Sequence, residues 1–548
     1  MTLRSTNLSR LQSEHFDVVV VGGGINGAVA AAALAGKGAR VALIDRGDFA
    51  GVTSQSSSNL AWGGIKYMES FELGLVRKLC MSRNQLMRAY PSTVQEIRFF
   101  TTLARGFRHS RWTIWLGTWI YWLFGNAFTR TPRLLSSGRI AREEEVVRTE
   151  GTAGGVEYSD AYLHDNDARF VFGFVRAAMN HGCAAANYVE SRGASYDAQQ
   201  GWTIEAHDGI SGATFAVRAR ALINACGPYV DQHNGLTQIQ TQYHHVLSKG
   251  IHLIVDRITP HKRVLAFFAD DGRLFFVIPM GPKTCIGTTD TRVQQAESGV
   301  TAADRHFVLD NINARLRLER PLTAEDVIAE RCGVRPLAVK GSTADSTDWV
   351  QLSRKHVIEV DEARHHLSIF GGKLTDCLNV GEEVCAAVRR FGIAFPYDPH
   401  KWYGEPDSRI RDDFFHECAV MRLDDRTAPT ASEPLSTRLW RRYGAKAFHL
   451  LEEIRRDSRM AEQLIEQAEY IRCEIEQAAR SEMVTKLADF LRRRSKIAQV
   501  VRHEDLQRSE GLREACVIFF GEAAEARWQE YFGAAAATDA PSAAAAAC

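Results

Sequence analysis

The feature that most constrains this chain is a glycine turn set between two apolar runs near its start. Phe16-Asp17-Val18-Val19-Val20-Val21 leads into Gly22-Gly23-Gly24-Ile25-Asn26-Gly27, an alanine-rich segment runs to Lys37-Gly38, and Val41-Ala42-Leu43-Ile44-Asp45 closes the unit. A β-branched run, a glycine turn, a small-residue stretch and a second apolar run predict strand, helix and strand. Glycines at 22, 24 and 27 fit the G-x-G-x-x-G pattern of a dinucleotide site. Gly22 supplies the tight turn, Gly24 lets the backbone approach a pyrophosphate, and Gly27 lets helix and strand pack closely. The pyrophosphate would meet the helix N-terminus, where unpaired N–H groups and the helix dipole favour negative charge. Asp45 is placed to accept hydrogen bonds from a ribose hydroxyl. An acid there suits a ribose without a 2′-phosphate, hence FAD or NAD rather than NADP.

At 548 residues the chain has room for a large core and more than one domain. A formal net charge of +1 gives no sign of a nucleic-acid partner. The 11 cysteines are scattered without a C-x-x-C pair, so no metal centre is expected from them. They read as small buried hydrophobes in a reducing compartment. Residues 1–15 are polar and lack the apolar core of a secretory signal.

Beyond Asp45 runs Thr53-Ser54-Gln55-Ser56-Ser57-Ser58-Asn59, followed by Trp62-Gly63-Gly64-Ile65-Lys66-Tyr67. By composition this is a loop. It follows the second strand of the nucleotide unit, where hydroxyls and a Gly-Gly pair suit a backbone lying against phosphate or a flat ring.

At these residues the chain resembles the FAD-dependent glycerol-3-phosphate dehydrogenases, which share the fold of the D-amino-acid-oxidase superfamily. The likeness continues, in the family's order, through Asn224-Ala225-Cys226-Gly227-Pro228-Tyr229-Val230-Asp231, Ser248-Lys249-Gly250-Ile251-His252, Phe276-Val277-Ile278-Pro279, Gly287-Thr288-Thr289-Asp290-Thr291, Gly333-Val334-Arg335-Pro336-Leu337 and Phe370-Gly371-Gly372-Lys373-Leu374-Thr375. The resemblance implies an α/β fold: a Rossmann-like FAD-binding domain in three parts (16–95, 156–235, 331–393), a β-rich substrate cap (236–330) and a C-terminal α-helical domain (394–532). A helical cap or membrane-contact segment would occupy 96–155, an N-terminal arm 1–15 and a disordered tail 533–548. The FAD-binding residues it implies are Gly22, Gly24, Asn26, Gly27, Asp45, Thr53, Ser54, Ser58, Val189, Ala225, Gly227, Gly372, Lys373, Leu374 and Thr375.

The activity implied is oxidation of sn-glycerol 3-phosphate, a small phosphorylated polyol, to dihydroxyacetone phosphate, with electrons leaving to a membrane quinone. His252 matches the family's active-site histidine, and the ordinary pKa of imidazole suits proton abstraction near neutral pH. Arg335, Arg354 and Lys373 map onto the family's cationic substrate pocket, with Lys66 and Tyr67 beside them. Guanidinium groups grip phosphate oxygens in a fixed fork, and Arg335 also suits stabilising the developing alkoxide. Two positions depart from the family's His-Gly-Gly-x-Arg-Tyr motif: Trp62 stands in place of His and Lys66 in place of Arg. Lys66 keeps the charge without the fork, and Trp62 removes a titratable group. Three other readings stay open: a same-fold enzyme for another hydroxy or amino acid, an oxidase reducing oxygen, and a flavin-binding scaffold without turnover.

Residues 112–128 carry no formal charge and lie between Arg105, Arg108 and Arg111 on one side and Arg130 and Arg133 on the other. On a helix, Trp112, Trp115, Trp119 and Trp122 fall within an arc of about 80°. The segment is shorter than the about 20 apolar residues a bilayer span needs. It reads either as a helix buried between domains or as one lying among the headgroups of an anionic membrane. The related family is peripherally attached to membranes, which favours the second reading and implies a cytoplasmic protein on the inner face of the cytoplasmic membrane.

Residues 158–182 read as helical, and 184–189, 202–206, 214–217 and 221–224 as strands, with His252 on an alternating strand. Residues 461–500 carry apolar residues at helical spacing. Arg492-Arg493-Arg494 reads as a solvated face, with membrane contact or a homodimer interface as alternatives.

Overall fold

The computed structural model describes residues 2–269, 272–341, 355–429 and 431–533. They divide into two compact units, one of residues 4–405 and one that begins at Pro406 and includes the first three residues.

The first unit contains two sheets. In the first, His15–Val21 lies between Val41–Ile44 and Thr214–Asn224, all parallel, with Val18 opposite both Val41 and Ala221. Ala184–Ala186 and His366–Phe370 extend it in parallel on either side. Strands buried on both faces need near-continuous apolar sequence, which Val18 to Val21 and Val41 to Ile44 supply. The predicted helix forms at Ile25–Gly36 and is buried along nearly its whole length between the helices Asp167–Asn180 and Cys377–Arg390. Its alanines are small because three helices crowd there. Gly36 and Gly381 leave room for Trp402, whose indole N–H donates to Glu382 at 2.7 Å. Residues 394–405 are therefore part of this unit, and the helical unit starts at 406 rather than 394.

The second, ten-stranded sheet carries His252, Arg331 and Arg335. Its strand Tyr243–Asp256 pairs antiparallel with Ala329–Lys340 on one edge and with Lys283–Gly287 on the other. Val94–Ala104 and Thr152–Leu163 form a long antiparallel pair in the same sheet. The helical expectation for 96–155 holds at Arg111–Phe124 and Ser137–Glu143 and is corrected at its two ends, the first because aromatic and β-branched residues from Ile97 to Leu103 favour a strand. So is that for 158–163: the helix starts only at Asp167, where the Asn166 side chain accepts from the Ala168 N–H at 3.0 Å. The boundary expected at 331 falls inside a strand of this second sheet. The N-terminal arm expected at 1–15 contains the helix Leu3–Ser13, held by Arg4 against Asp208 at 2.5 Å and by buried Leu11.

In the second unit, residues 461–500 are broken into short pieces, among them the helix Arg472–Ser481 and a π-helical turn Asp489–Arg494. The basic cluster is not a solvated face. Arg494 is buried, with its Nε–H donating to the Glu482 carbonyl at 2.8 Å, and Arg493 pairs with Asp489 at 2.6 Å. Of the tail expected at 533–548, Gly533 ends the helix Ala524–Gly533 and the rest lies outside the described residues.

Candidate active site

The strand His15–Val21 ends at Gly22, where φ is 101°, in the left-handed region that glycine adopts without strain. A Cβ on Gly22 would stand 2.5 Å from the Ala225 carbonyl oxygen, and one on Gly27 would overlap the Gly22 carbonyl. Gly24 precedes the helix without a capping side chain. Ser54 supplies the cap from the next loop, its Oγ accepting from the Ile25 N–H at 3.0 Å. Asp45 accepts from the Gly23 and Gly47 N–H groups at 2.6 and 2.8 Å. Burial pushes its carboxyl up, against the pull of those two donors. Val189 donates its N–H to the Asp45 carbonyl at 2.7 Å, and Ala225 donates to Val21 at 2.9 Å ahead of the turn at Gly227.

Across from this turn lie Gly371 and Gly372, with φ of 62° and 111°. The Gly371 N–H donates to His245 Nε2 at 3.0 Å, and its carbonyl accepts from Asn26 Nδ2 at 3.0 Å. Asn26 Oδ1 is buried and has no hydrogen-bond partner among the described residues, and a Cβ on Gly372 would sit 3.1 Å from it. These residues fit a flavin dinucleotide. The backbone is cleared of side chains at Gly22, Gly27 and Gly372, a helix N-terminus faces the crevice, and Asn26 Oδ1 is left for a donor.

The second half of the site is a sheet face. Ser248 lies opposite Arg335, Gly250 opposite Gly333 and His252 opposite Arg331, so all six share one side of the antiparallel pair. Arg335 covers Gly250, where any Cβ would overlap the guanidinium. It donates to Thr288 Oγ1 at 3.1 Å and lies 3.5 Å from Asp290, which also accepts from the Ser248 hydroxyl. His252 is buried, with Nε2 3.0 Å from Ser58 Oγ. Burial, then the charges of Arg331 and Arg335, hold its pKa well below the ordinary imidazole value. It is therefore neutral at neutral pH and keeps a lone pair. Trp62 meets the edge of Phe276, their ring centres 6.5 Å apart, and Phe276 lies opposite Gly287, which lies opposite His252. Thr375 Oγ1 donates to the Trp62 carbonyl at 3.2 Å, and Lys373 Nζ stands 4.0 Å above the Tyr67 ring.

The tryptophan segment forms the helix Arg111–Phe124. Among the described residues no helix is long and apolar enough to cross a membrane. Thr118 and Tyr121 face inward, while Trp112, Leu116 and Leu123 are 56%, 59% and 58% exposed. The tryptophans form an edge-to-face ladder beside this stripe. The flanking Arg108, Arg130 and Arg133 are paired with Glu69, Glu96 and Glu143. Inside, the Tyr121 hydroxyl donates to Asp160 at 2.6 Å. Asp160 also accepts from the Gly63 N–H at 3.0 Å and lies 3.4 Å from Arg83.

Ser58 was expected on the cofactor and stands on His252; Thr53 donates to the Val334 carbonyl at 2.6 Å. Lys66 is exposed on the turn Ile65–Met68 that buries Tyr67, because adjacent residues of a 3₁₀ turn point in different directions. Leu374 and Thr375 open the turn after Lys373. Arg354 lies outside the described residues. Gly250, Asp290, Asp160, Asp167 and Arg331 were not singled out, and cross-strand register, which brings three of them to this face or its edge, leaves no local mark in the sequence.

The model of the family described as FAD dependent oxidoreductase matches residues 17–355, and that described as the C-terminal domain of alpha-glycerophosphate oxidase matches 412–516. The aerobic glycerol-3-phosphate dehydrogenase of Bacillus subtilis is 29% identical over 390 residues, 70% of this chain and 69% of that protein. Its namesake from Staphylococcus aureus is 28% identical over 501 residues, 88% of this chain and 87% of that protein. Among solved structures, the glycerol-3-phosphate dehydrogenase from Bacillus halodurans complexed with FAD has a TM-score of 0.68 at 23% identity, covering 97% of this chain and 94% of that one. The L-alpha-glycerophosphate oxidase from Mycoplasma pneumoniae with FAD bound has a TM-score of 0.54 at 17% identity, covering 72% and 98%.

Proposed function

As the chain belongs to the FAD dependent oxidoreductase family, FAD is its cofactor, and we propose that it oxidises sn-glycerol 3-phosphate to dihydroxyacetone phosphate. The observation that carries this reading is neutral His252 and cationic Arg335 on one sheet face, joined to the glycine crevice through the loop that holds Ser54 and Ser58. The names of the relatives supply the substrate class.

When bound, FAD supplies a two-electron acceptor for the hydrogen leaving C2. His252 takes the C2 hydroxyl proton, with Ser58 as its hydrogen-bonding partner. A neutral imidazole with a depressed pKa is a weak base, so the hydroxyl must be acidified as well, and Arg335 is the group that stabilises the developing alkoxide. Arg335 and Lys373 hold the phosphate, and Tyr67 beneath Lys373 fixes the height of that ammonium.

Electrons pass on to a membrane quinone, and the exposed apolar stripe of Arg111–Phe124 supports docking on the inner face of the cytoplasmic membrane. With most flanking arginines paired to acids, that contact rests on the apolar side chains more than on charge. The experiment is anaerobic bleaching of the flavin absorbance by glycerol 3-phosphate, beside glycerol, D-lactate and D-alanine, followed by reoxidation with quinone-loaded anionic vesicles or with oxygen. Bleaching by the phosphate ester alone, and reoxidation by vesicles that Leu116→Glu impairs, is the expected result. Bleaching by another compound would sink the substrate reading, and peroxide-forming reoxidation by oxygen would replace the quinone.

A further inference from the structure

Arg331 is a buried cation that the proposed chemistry leaves without a task. It is 2% exposed and lies directly opposite His252 on the neighbouring strand. Its guanidinium turns toward one loop. Nη1 donates to Asn59 Oδ1 at 2.9 Å, and Nη2 donates to the Gln55 carbonyl at 3.3 Å and to Asp167 Oδ2 at 3.0 Å. Asp167, fully buried in the first turn of the helix Asp167–Asn180, accepts from the Ser57 N–H at 2.8 Å. Asn59 has a φ of 57°, in the left-handed region that asparagine adopts more readily than other residues with a side chain, and its Nδ2 donates to the Asp165 carbonyl at 3.2 Å. Gly333 presses on the same loop, since a Cβ there would stand 2.8 Å from Ser56 Cβ. Between Ser57 and Asn59, both clamped, is Ser58, whose hydroxyl meets His252 Nε2 at 3.0 Å.

We propose that the Arg331–Asp167 pair positions the proton acceptor: it fixes residues 55–59 so that Ser58 stays on His252, and it sets a permanent positive charge one strand away from the imidazole. This rests on the reading of His252 as the base. The charged groups around the imidazole are Arg331 and Arg335, with Asp167 behind the first and Asp290 beside the second. Among the described residues no carboxylate pairs with His252 itself. Both arginines therefore oppose a proton on the ring, and burial does so more strongly.

Removing Arg331 alone would strand a buried carboxylate, so the main test is the neutral pair Arg331→Gln/Asp167→Asn in the full-length, FAD-loaded protein. Two titrations are compared with wild type: the ¹³Cε1 NMR signal of His252, assigned by its loss in His252→Gln, and the rate of flavin bleaching by glycerol 3-phosphate. The double variant should move both midpoints up by about one pH unit while FAD content stays the same. Arg331→Lys, which keeps charge but loses the fork, should leave the midpoint in place and slow bleaching about tenfold. Ser58→Ala should add little to the double variant although it slows the wild type, because the two act through one contact. Unmoved midpoints, or an equal Ser58→Ala cost in both backgrounds, would overturn the proposal. If glycerol 3-phosphate fails to bleach the wild-type flavin, the functional reading falls instead, and the NMR midpoint alone decides the role of Arg331.

Discussion

The glycine crevice and the His252 pocket adjoin in one unit and are built by opposite means. The crevice is shaped by backbone, with the side chains of Asn26, Asp45, Ser54 and His245 bonded along it. Its decisive groups are the Gly22 and Ala225 carbonyls, the Ile25 and Gly371 N–H groups, and the Cβ atoms that Gly22, Gly27 and Gly372 lack. Around His252 the groups are side chains, brought from 248–252 and 331–335 by strand register and from 55–59 and 288–290 by loops. A backbone site is all or nothing under substitution, because a new Cβ has nowhere to go. A side-chain site is graded, because each group can be altered while the frame stands.

Three measurements would break or sharpen that contrast, and the first carries the largest effect. Gly27→Val places a side chain on the Gly22 carbonyl, and the purified protein is expected to contain no FAD, read as the ratio of visible to ultraviolet absorbance. Stoichiometric flavin in this variant would show that the crevice is not a backbone site. His252→Gln should keep its FAD and lose about 10²- to 10⁴-fold in the rate of flavin reduction by glycerol 3-phosphate. If flavin and reduction vanish together, the two halves are not separable.

The third effect is smaller and concerns pH. Burial lowers His233 and His245 to about 4 and His366 to about 3, and holds His252 well below its ordinary value. The unfolded chain takes up these protons below pH 6.5 while the native protein refuses them, so their contribution is full above 6.5 and lost as pH falls toward 4. Each such histidine removes up to about 1.4 kcal/mol per pH unit in that window. His356 works the other way. Burial lowers it, but its hydrogen bonds to the Asp376 and Glu383 carboxylates outweigh that and raise it, so its contribution is kept in acid and lost as pH rises through its raised pKa. The net expectation is a melting temperature for residues 4–405 that drops between pH 7 and pH 5, with a smaller drop in His252→Gln. A flat profile would remove the buried neutral histidines from the account.

The same contrast explains what could be read without a structure. The crevice was legible because its strand, turn, helix and acid all fall within residues 16–45, and each constraint is local. For the face around His252 the sequence offers only a resemblance, which names His252, Arg335 and Lys373. Nothing in the spacing of 252 and 331 says that they face each other, and a shift of one residue in register would turn Arg331 to the other side. The strand Thr152–Leu163 was misread over 158–163 because a strand buried along both faces lacks alternation and looks like part of the helix that follows. The tryptophan segment is helical over Arg111–Phe124, and its most exposed stripe runs through Trp112, Leu116 and Leu123, sharing only Trp112 with the ladder of rings. Packing of Tyr121 on Asp160 sets that rotation, and the helix's own periodicity does not.

The Tyr121 contact also bears on how this protein can change. A Cβ at Gly63 would collide with the Tyr121 hydroxyl, and the Gly63 N–H and that hydroxyl end on the same carboxylate. The loop beside Trp62 and the helix with the apolar outer face therefore cannot drift apart in sequence. A graft that exchanges Arg111–Phe124 for a relative's helix must carry Gly63, Asp160 and Tyr121 as one heritable block, or the loop will lose its floor.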